Sequence, residues 1–233
     1  MCGRYTLTAR APDILRERFA LCDDIPLEPR FNIAPGQEVL AVTTRRDGSP
    51  RAELLRWGLM PHWVEPSRTH RPLINARAET LAERPAFRAA FAERRCLIVA
   101  DGFYEWQSRA DGPKQPWWIT REDRAPFAFA GIWASRQPSS DSPPLRTCAI
   151  VTTQANALVR DLHDRMPVIL EARDEPRWLA RGASSADLLA LLRALPAERT
   201  ARRPVSLAVN DVAHDAPDCI EPVTAPPDAP TLF

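Results

Sequence analysis

The chain has 233 residues, of which 45% are hydrophobic and 26% are charged, as in an ordinary soluble globular protein with a sizeable core. A formal net charge of +1 excludes a general electrostatic attraction to nucleic acid, although Lys114 is the only lysine and arginine carries nearly all of the positive charge. The five cysteines are odd in number and lack a C-x-x-C pair, which argues against a disulfide framework or a zinc site and for a reducing compartment. No signal-like N-terminus or long apolar run is present, so a cytoplasmic location without membrane contact is expected.

Apolar periodicity and turn residues predict the elements of the first half of the chain. Pro12 is expected to open a helix at its first turn, and Asp47-Gly48 is expected to turn a β-hairpin. Residues 30–36 are expected to form a loop that ends in Pro35-Gly36. The predicted strands cover residues 3–8, 39–44, 52–57, 96–100, 103–107, 116–120 and 126–134, with a helix over 80–92 and irregular chain over 58–72.

The second half continues with short elements. A surface loop is expected over residues 137–144, strands over 145–153, 166–170 and 204–209, and a helix over 155–162. Two short helices are expected between residues 174 and 195, capped by Asp174 and by Ser184 or Ser185. Strands outnumber helices and lie at hairpin distances, which predicts a single α+β domain with a mainly antiparallel sheet over residues 1–222. Residues 223–233, rich in proline, are expected to form a loose tail.

The second residue is a candidate for covalent chemistry. If Met1 is removed, Cys2 carries a free α-amine next to its thiol, and such an aminothiol captures an aldehyde by forming a Schiff base that the thiol closes into a ring. Both groups are close to reactive at neutral pH, because their reference pKa values are about 8 and 8.5. Position alone favours the alternative, in which Cys2 is only a buried small hydrophobic residue.

Three further stretches carry candidate chemistry, each with a structural alternative. Asn75 and Arg77 lie two residues apart, so an extended segment would point both into one cleft, whereas a helix would use Asn75 as a cap. Glu105 lies among aromatic residues, where burial would raise its pKa and make it a general acid and base; otherwise it faces solvent on an alternating strand. His163 could move a proton and Arg165 could contact phosphate, unless the histidine only caps a helix.

Aromatic residues near a Pro-Gly turn suggest a surface for nucleic-acid bases. Trp57, Trp63 and the Pro35-Gly36 turn could stack on bases or separate them, whereas Trp133 and Trp178 are expected to fill the core. The chain contains no Walker loop, G-x-G-x-x-G, H-E-x-x-H or G-x-S-x-G pattern, so no nucleotide cofactor and no metal are expected.

Six segments of the chain form one recognisable set. In chain order they are MCGRY (1–5), FNIAPG (31–36), RWGLMP (56–61), INARAET (74–80), CLIVADGFYEW (96–106) and LHDRMP (162–167). Together they resemble the SRAP (SOS response-associated peptidase) domain proteins, a resemblance that implies the processing of abasic sites. The resemblance runs from residue 2 to about residue 222. It implies a curved, barrel-like, mainly antiparallel β core flanked by helices.

The resemblance also implies a reaction and a partner. Mature Cys2 would trap the aldehyde of an abasic site in single-stranded DNA, including single-strand/double-strand junctions, as a thiazolidine crosslink. By the same resemblance Asn75 orients the opened sugar or the amine, Glu105 moves protons, and His163 helps to open the sugar. The resemblance assigns DNA contacts to five further residues: Arg4, Arg77 and Arg165 at phosphates, and Pro35 and Trp63 as a wedge. Val64 stands where a second wedge tryptophan is common in the family.

Three functions remain distinct at this point. The first is a monomeric bacterial protein of the DNA damage (SOS) response that crosslinks to abasic sites, with AP-lyase-like strand incision and autoproteolytic removal of Met1. The second is a thiol peptidase or amidase with Cys2 as its nucleophile. The third is a non-covalent single-strand binding module in which Cys2 is structural.

Overall fold

The fold was analysed in a computed structural model, which describes residues 2–8, 12–19, 28–61, 63, 72–137 and 143–224, with the backbone alone for 12–14. Cys22, Val64, most of the irregular segment predicted over 58–72, the middle of the predicted surface loop, and the predicted tail from residue 225 lie outside these ranges.

Thirteen strands are described in these ranges. They are β1 (Tyr5–Leu7), β2 (Arg30–Ile33), β3 (Glu38–Thr44), β4 (Pro50–Trp57), β5 (Asn75–Arg77), β6 (Arg95–Ala100), β7 (Gly102–Gln107), β8 (Gln115–Arg121), β9 (Phe127–Arg136), β10 (Leu145–Gln154), β11 (Arg165–Pro167), β12 (Ile169–Leu170) and β13 (Thr200–Pro204). The α-helices are α1 (Pro12–Arg18), α2 (Pro85–Glu93), α3 (Ala157–Arg160), α4 (Glu175–Leu179) and α5 (Ser185–Ala190). Short 3-10 helices cover Ala78–Thr80, Ala197–Arg199, Leu207–Asn210 and Pro217–Ile220.

Five strands close into a barrel. The ring runs β10-β4-β3-β6-β9 and returns to β10, because β9 and β10 pair over six residues of each strand. The pairings are antiparallel except for β10 with β4 and, outside the ring, β10 with β5. Closure leaves these five strands without a free edge around the ring. The predicted α+β, barrel-like, mainly antiparallel fold is therefore confirmed.

A second sheet places the N-terminus against the barrel. Its order is β13-β8-β7-β1-β2, so β1 is flanked on both sides by antiparallel partners. One large core, which includes Cys2, Tyr5 and Phe103, joins this sheet to the barrel. Tyr5 packs edge-on against Trp57 and Phe129 at centroid distances of 5.3 and 5.6 Å. The first residues of the chain are thus built into the core.

Several predicted elements were wrong or shorter than predicted. The predicted loop over 30–36 contains strand β2, because β1 and the carboxylate of Asp215 supply partners for its backbone. The helix predicted from residue 80 begins only at Pro85, which occupies its first position after a separate 3-10 helix. The last strand is Thr200–Pro204 rather than 204–209, which instead contains a 3-10 helix.

Two differences concern caps and a split strand. Asp174 precedes α4 but makes no capping hydrogen bond and pairs with Arg177 at 2.8 Å, whereas Ser184 caps α5 as predicted. The predicted strand over 166–170 splits at Val168. The N–H of Val168 bonds to Val151 in β10 while its carbonyl accepts from Ala130 in β9.

Within the described ranges, no helix combines the length and apolar composition needed to cross a membrane.

Candidate functional site

Strand β1 is held by a buried carboxylate at the end of β6. Asp101 accepts hydrogen bonds from the hydroxyl of Thr6 at 2.6 Å and from the backbone N–H and hydroxyl of Thr8 at 2.5 and 2.8 Å. The indole of Trp118 donates to the same Thr6 hydroxyl at 3.1 Å. The next residue, Gly102, must be glycine, because a Cβ at this position would lie 2.2 Å from the indole nitrogen of Trp118. These contacts fix the strand that carries Cys2.

Cys2 is fully buried at the start of this strand. Its Sγ lies 3.7 Å from the carbonyl of Arg4, and burial, followed by the nearby charge of Glu105, raises the thiol pKa well above its ordinary value. The thiol is therefore protonated at neutral pH, and Cys2 lacks the lowered pKa that activates a thiol nucleophile. The expectation of a buried Cys2 and that of a reactive Cys2 are both compatible with this position.

Asn75 reaches Cys2 from the neighbouring sheet. Strand β5 runs parallel to β10, with Asn75 aligned to Ile150, and the side-chain Nδ2 donates to the carbonyl of Cys2 at 2.8 Å. The side-chain Oδ1 is buried and has no hydrogen-bond partner within the described residues. The backbone of Asn75 and Arg77 is therefore extended, as one of the two interpretations predicted. No side chain caps the 3-10 helix that follows.

Glu105 lies on β7, directly opposite the chain leading to Cys2. The register pairs Tyr5 with Phe103, and Tyr104 N–H donates to the carbonyl of Arg4 at 3.0 Å, which sets Gly3 opposite Glu105. The side chain of Glu105 is only 4% exposed, and this burial raises its pKa to about 7. A carboxyl group with this pKa can donate and accept a proton at neutral pH.

His163 shares its charged neighbours with Glu105. Its Nδ1 accepts from the backbone N–H of Arg165 at 2.9 Å and also lies 2.7 Å from a carboxylate oxygen of Asp164. Burial lowers the pKa of His163 and so favours the neutral ring. The Arg165 contact fits an Nδ1 without a proton, whereas the Asp164 contact fits an Nδ1 that carries one. The charge of Asp164 raises the pKa of both His163 and Glu105, and that of Lys114 lowers both.

Arg4 is engaged in a network at the far side of β1. Its guanidinium donates to Asn32 Oδ1 at 2.7 Å and to the carbonyl of Val209 at 2.9 Å, and lies 5.9 Å from the centre of the Trp106 ring. Asn32 is fully buried and also donates to three carbonyl groups of the segment from Val209 to His214. Arg4 is half-buried, so this network leaves only part of its guanidinium for a phosphate.

The two other predicted phosphate contacts differ in their surroundings. Arg77 is exposed, and its side chain makes no hydrogen bond or ion pair with any described residue. Arg165 is buried and forms a bidentate pair with Glu79 at 2.7 and 2.9 Å, with a further bond to the carbonyl of Thr152 at 2.6 Å. The hydrogen bonds from Arg165 lower the pKa of Glu79. In this conformation Arg77 is free to meet a phosphate and Arg165 is not.

The predicted stacking residues separate into two groups. Pro35 is exposed in its turn, and Trp63 is 58% exposed. Trp57 is only 1% exposed and donates through Nε1 to the carbonyl of Ile74 at 2.9 Å, so it cannot stack on a base. Trp178 is fully buried, as expected of a core residue. Trp133 is partly buried against the core, and the guanidinium of Arg146 stacks over its ring.

Among the described residues, one cluster of metal-ligand residue types lies outside this site. His214, Asp218 and Cys219 bring their ligand atoms within 4.8 Å of one another. His214 is already bonded to Asp218 at 2.7 Å, and burial raises the pKa of the Cys219 thiol.

Comparison with known proteins places this site in a family. A model of the family described as SOS response associated peptidase (SRAP) matches residues 1–212. The chain belongs to the SRAP family. The abasic site processing protein YoqW of Bacillus subtilis is 40% identical over 226 residues, covering 95% of this chain and 99% of its own. The abasic site processing protein YedK of Escherichia coli is 33% identical, with 96% and 100% covered, and the chicken protein HMCES is 31% identical, with 84% and 66% covered.

Solved structures share the SRAP fold. A phage-related protein of Bordetella bronchiseptica matches with a TM-score of 0.71 and 32% identity, covering 88% of this chain and 94% of its own. A protein of Bacteroides thetaiotaomicron matches with a TM-score of 0.84 at 24% identity, covering 96% and 100%.

The sequence did not single out every residue that builds the site. Asn32 lies in a matched segment, yet its role in holding Arg4 depends on carbonyl groups about 180 residues away. Lys114 drew attention only as the single lysine, although its charge acts on both Glu105 and His163. The hairpin turn at Asp111-Gly112 brings Lys114 back beside β7, which is the one local signal that could have pointed to it.

Proposed function

We propose that this SRAP protein processes abasic sites in single-stranded DNA by forming a thiazolidine crosslink through Cys2 after Met1 has been removed. The observation that carries the proposal is the setting of Cys2, whose carbonyl is held by Asn75 and whose strand lies opposite Glu105. The names of the relatives support the substrate class, because YoqW, YedK and HMCES are each called abasic site processing proteins.

The order of the chemical steps follows from the two pKa shifts. Burial keeps the thiol of Cys2 protonated, so the amine attacks the aldehyde first. Protonated Glu105 supplies a proton to the hydroxyl that leaves as water, which gives the Schiff base. The Schiff base is formed protonated, so its nitrogen keeps one hydrogen. The Glu105 carboxylate then takes the thiol proton while sulfur bonds to the imine carbon and the C=N electron pair returns to nitrogen, which leaves Glu105 protonated again. One aldehyde and one aminothiol thereby give one thiazolidine and one water.

Asn75 and His163 are placed to orient the opened sugar. The unpartnered Oδ1 of Asn75 can accept a hydrogen bond from the amine or from a sugar hydroxyl. Neutral His163, one third exposed, can donate a ring N–H to the oxygen that leaves when the sugar ring opens. Exposed Arg77 would meet the adjacent phosphate, and exposed Pro35 and Trp63 would separate the neighbouring bases.

A denaturing gel tests the proposal. The protein is mixed with single-stranded DNA carrying one abasic site, and a shifted band is expected that is absent with Cys2→Ala and with DNA lacking the site. Mass spectrometry of the same sample should show that Met1 is absent, since an amide at this nitrogen blocks the Schiff base. A protein that binds the DNA reversibly and never shifts on the gel, although Met1 is absent, would sink the proposal.

The peptidase alternative is less well supported by the site. A thiol peptidase needs a thiolate, which a basic partner stabilises, whereas burial and Glu105 both raise the pKa of Cys2. Cleavage of a peptide substrate by the Met1-free protein, at a rate lost in Cys2→Ala, would favour that alternative.

A further inference from the structure

A cavity of about 530 Å³ lies at the opposite end of the barrel from the Pro35 turn. It opens between the end of α1, the hairpin joining β3 to β4, and α4, and its lining includes Thr44 and Gly48. The Pro35-Gly36 turn precedes the other end of β3, and seven strand residues span roughly 20 Å. The cavity is therefore separate from the site of Cys2, and its volume lies within the range of small-molecule pockets.

The base and walls of the cavity are apolar. Val42 and Leu97 face each other across β3 and β6 and form its floor, and Phe19 and Leu179 line its sides. At its inner edge Arg18 and Glu175 neutralise each other through a bidentate pair at 2.8 and 2.9 Å. A ligand body that rests here must be largely apolar, because the charges at this depth already satisfy each other.

The rim carries an excess of positive charge. Arg46 from the β3–β4 hairpin and Arg181 after α4 both line the cavity, and neither forms a hydrogen bond or an ion pair with a described residue. The acid beside them, Asp47, already accepts from the backbone N–H and the hydroxyl of Ser49 at 2.9 and 2.7 Å. Two unneutralised guanidinium groups from separate elements thus stand over an apolar floor.

We propose that this cavity binds a small amphipathic anion, with an apolar chain or ring on Val42 and Leu97 and a carboxylate or phosphate at Arg46 and Arg181. Guanidinium groups recognise both anions through paired hydrogen bonds. The apolar body supplies affinity by burial, and the arginines select the charge.

Four probes of equal chain length test the selectivity. Octyl phosphate and octanoate are titrated below their micelle concentrations by calorimetry and by two-dimensional NMR, with octanol and octyltrimethylammonium as the neutral and cationic controls. The anions are expected to bind at least tenfold more tightly than octanol, to shift the signals of Val42 and Leu97, and to raise Tm. Equal binding of all four probes, or no binding by either anion, overturns the proposal.

Variants locate the site independently. Arg46→Ser with Arg181→Ser should weaken anion binding at least tenfold without changing octanol binding. Ala172→Trp, at an exposed position on the rim, should abolish binding of every probe by filling the cavity. Arg88→Ser, which removes an exposed arginine of α2 outside the lining, is the matched control. Loss of affinity in Arg88→Ser equal to that in the double variant would show non-specific attraction. The DNA crosslink assay should be unaffected in all three variants.

Discussion

Glu105 is the residue whose ionisation connects stability with chemistry. Burial raises its pKa from 4.5 to about 7, so the folded protein binds this proton more tightly than the unfolded chain does. The contribution to stability is full below pH 4.5 and is lost as the pH rises through about 7. A shift of this size corresponds to at most about 3 kcal/mol.

The Glu105→Gln variant separates these two effects. It should unfold with a free energy close to that of the wild type at pH 5 and should be more stable by up to about 3 kcal/mol at pH 8, as measured by urea denaturation. The rate of crosslinking should fall at least a hundredfold and lose its inflection near pH 7, while DNA binding remains nearly unchanged. Equal losses of binding and of crosslinking would instead assign Glu105 a structural role.

At the scale of elements, the pair between Glu79 and Arg165 ties the 3-10 helix after β5 to strand β11. Glu79→Ala removes the carboxylate that pairs with the buried guanidinium of Arg165. Because Glu79 itself is partly exposed, the loss should cost about 1.5 kcal/mol of unfolding free energy. Glu83→Ala, a nearby exposed acid, should change stability by less than about 0.5 kcal/mol. Tighter DNA binding by Glu79→Ala at unchanged stability would show that Arg165 meets phosphate once it is released.

Gly102 tests how closely β7 is packed against its neighbours. A methyl group there would meet the indole of Trp118 at 2.2–2.7 Å and the hydroxyl of Thr6 at 2.9 Å, so Gly102→Ala should lower the unfolding free energy by about 3 kcal/mol. Gly112→Ala is the control, because open space surrounds its Cβ position and only its positive φ of 83° opposes the change, at about 1 kcal/mol. Similar thermal stabilities of the two variants would contradict the close packing described for β7.

The strands with strong alternation or turn residues were predictable, and those defined by distant partners were not. The β3–β4 hairpin follows from two apolar runs around Asp47-Gly48. Strand β2 was read as a loop because its partners, β1 and Asp215, lie far away along the chain. The same holds for the site: the residue types at Cys2, Asn75 and Glu105 were visible, whereas the ion pair that occupies Arg165 depends on Glu79, 86 residues away.

At the scale of the whole molecule, a net charge of +1 means that attraction to DNA must come from a few local groups. Each phosphate contact on a single strand contributes about 0.7 to the slope of log K against log salt. Arg77→Ala should therefore lower that slope by about 0.7 in fluorescence titrations with a reduced, non-reactive abasic analogue. Arg88→Ala should leave the slope unchanged, and an unchanged slope in Arg77→Ala would remove this residue from the DNA-binding surface.

The burial of Cys2 has a consequence for the order of events during synthesis. The carboxylate whose charge acts on its thiol belongs to residue 105, and the guanidinium of Arg4 reaches its carbonyl partner only at residue 209. At about 5–20 residues per second, the first residues leave the ribosome roughly 10 to 40 s before their last structural neighbours exist. During that interval the N-terminus is an ordinary nascent peptide, open to a methionine aminopeptidase. If Met1 is removed, as the proposed crosslink requires, its removal is easiest before the surrounding strands exist.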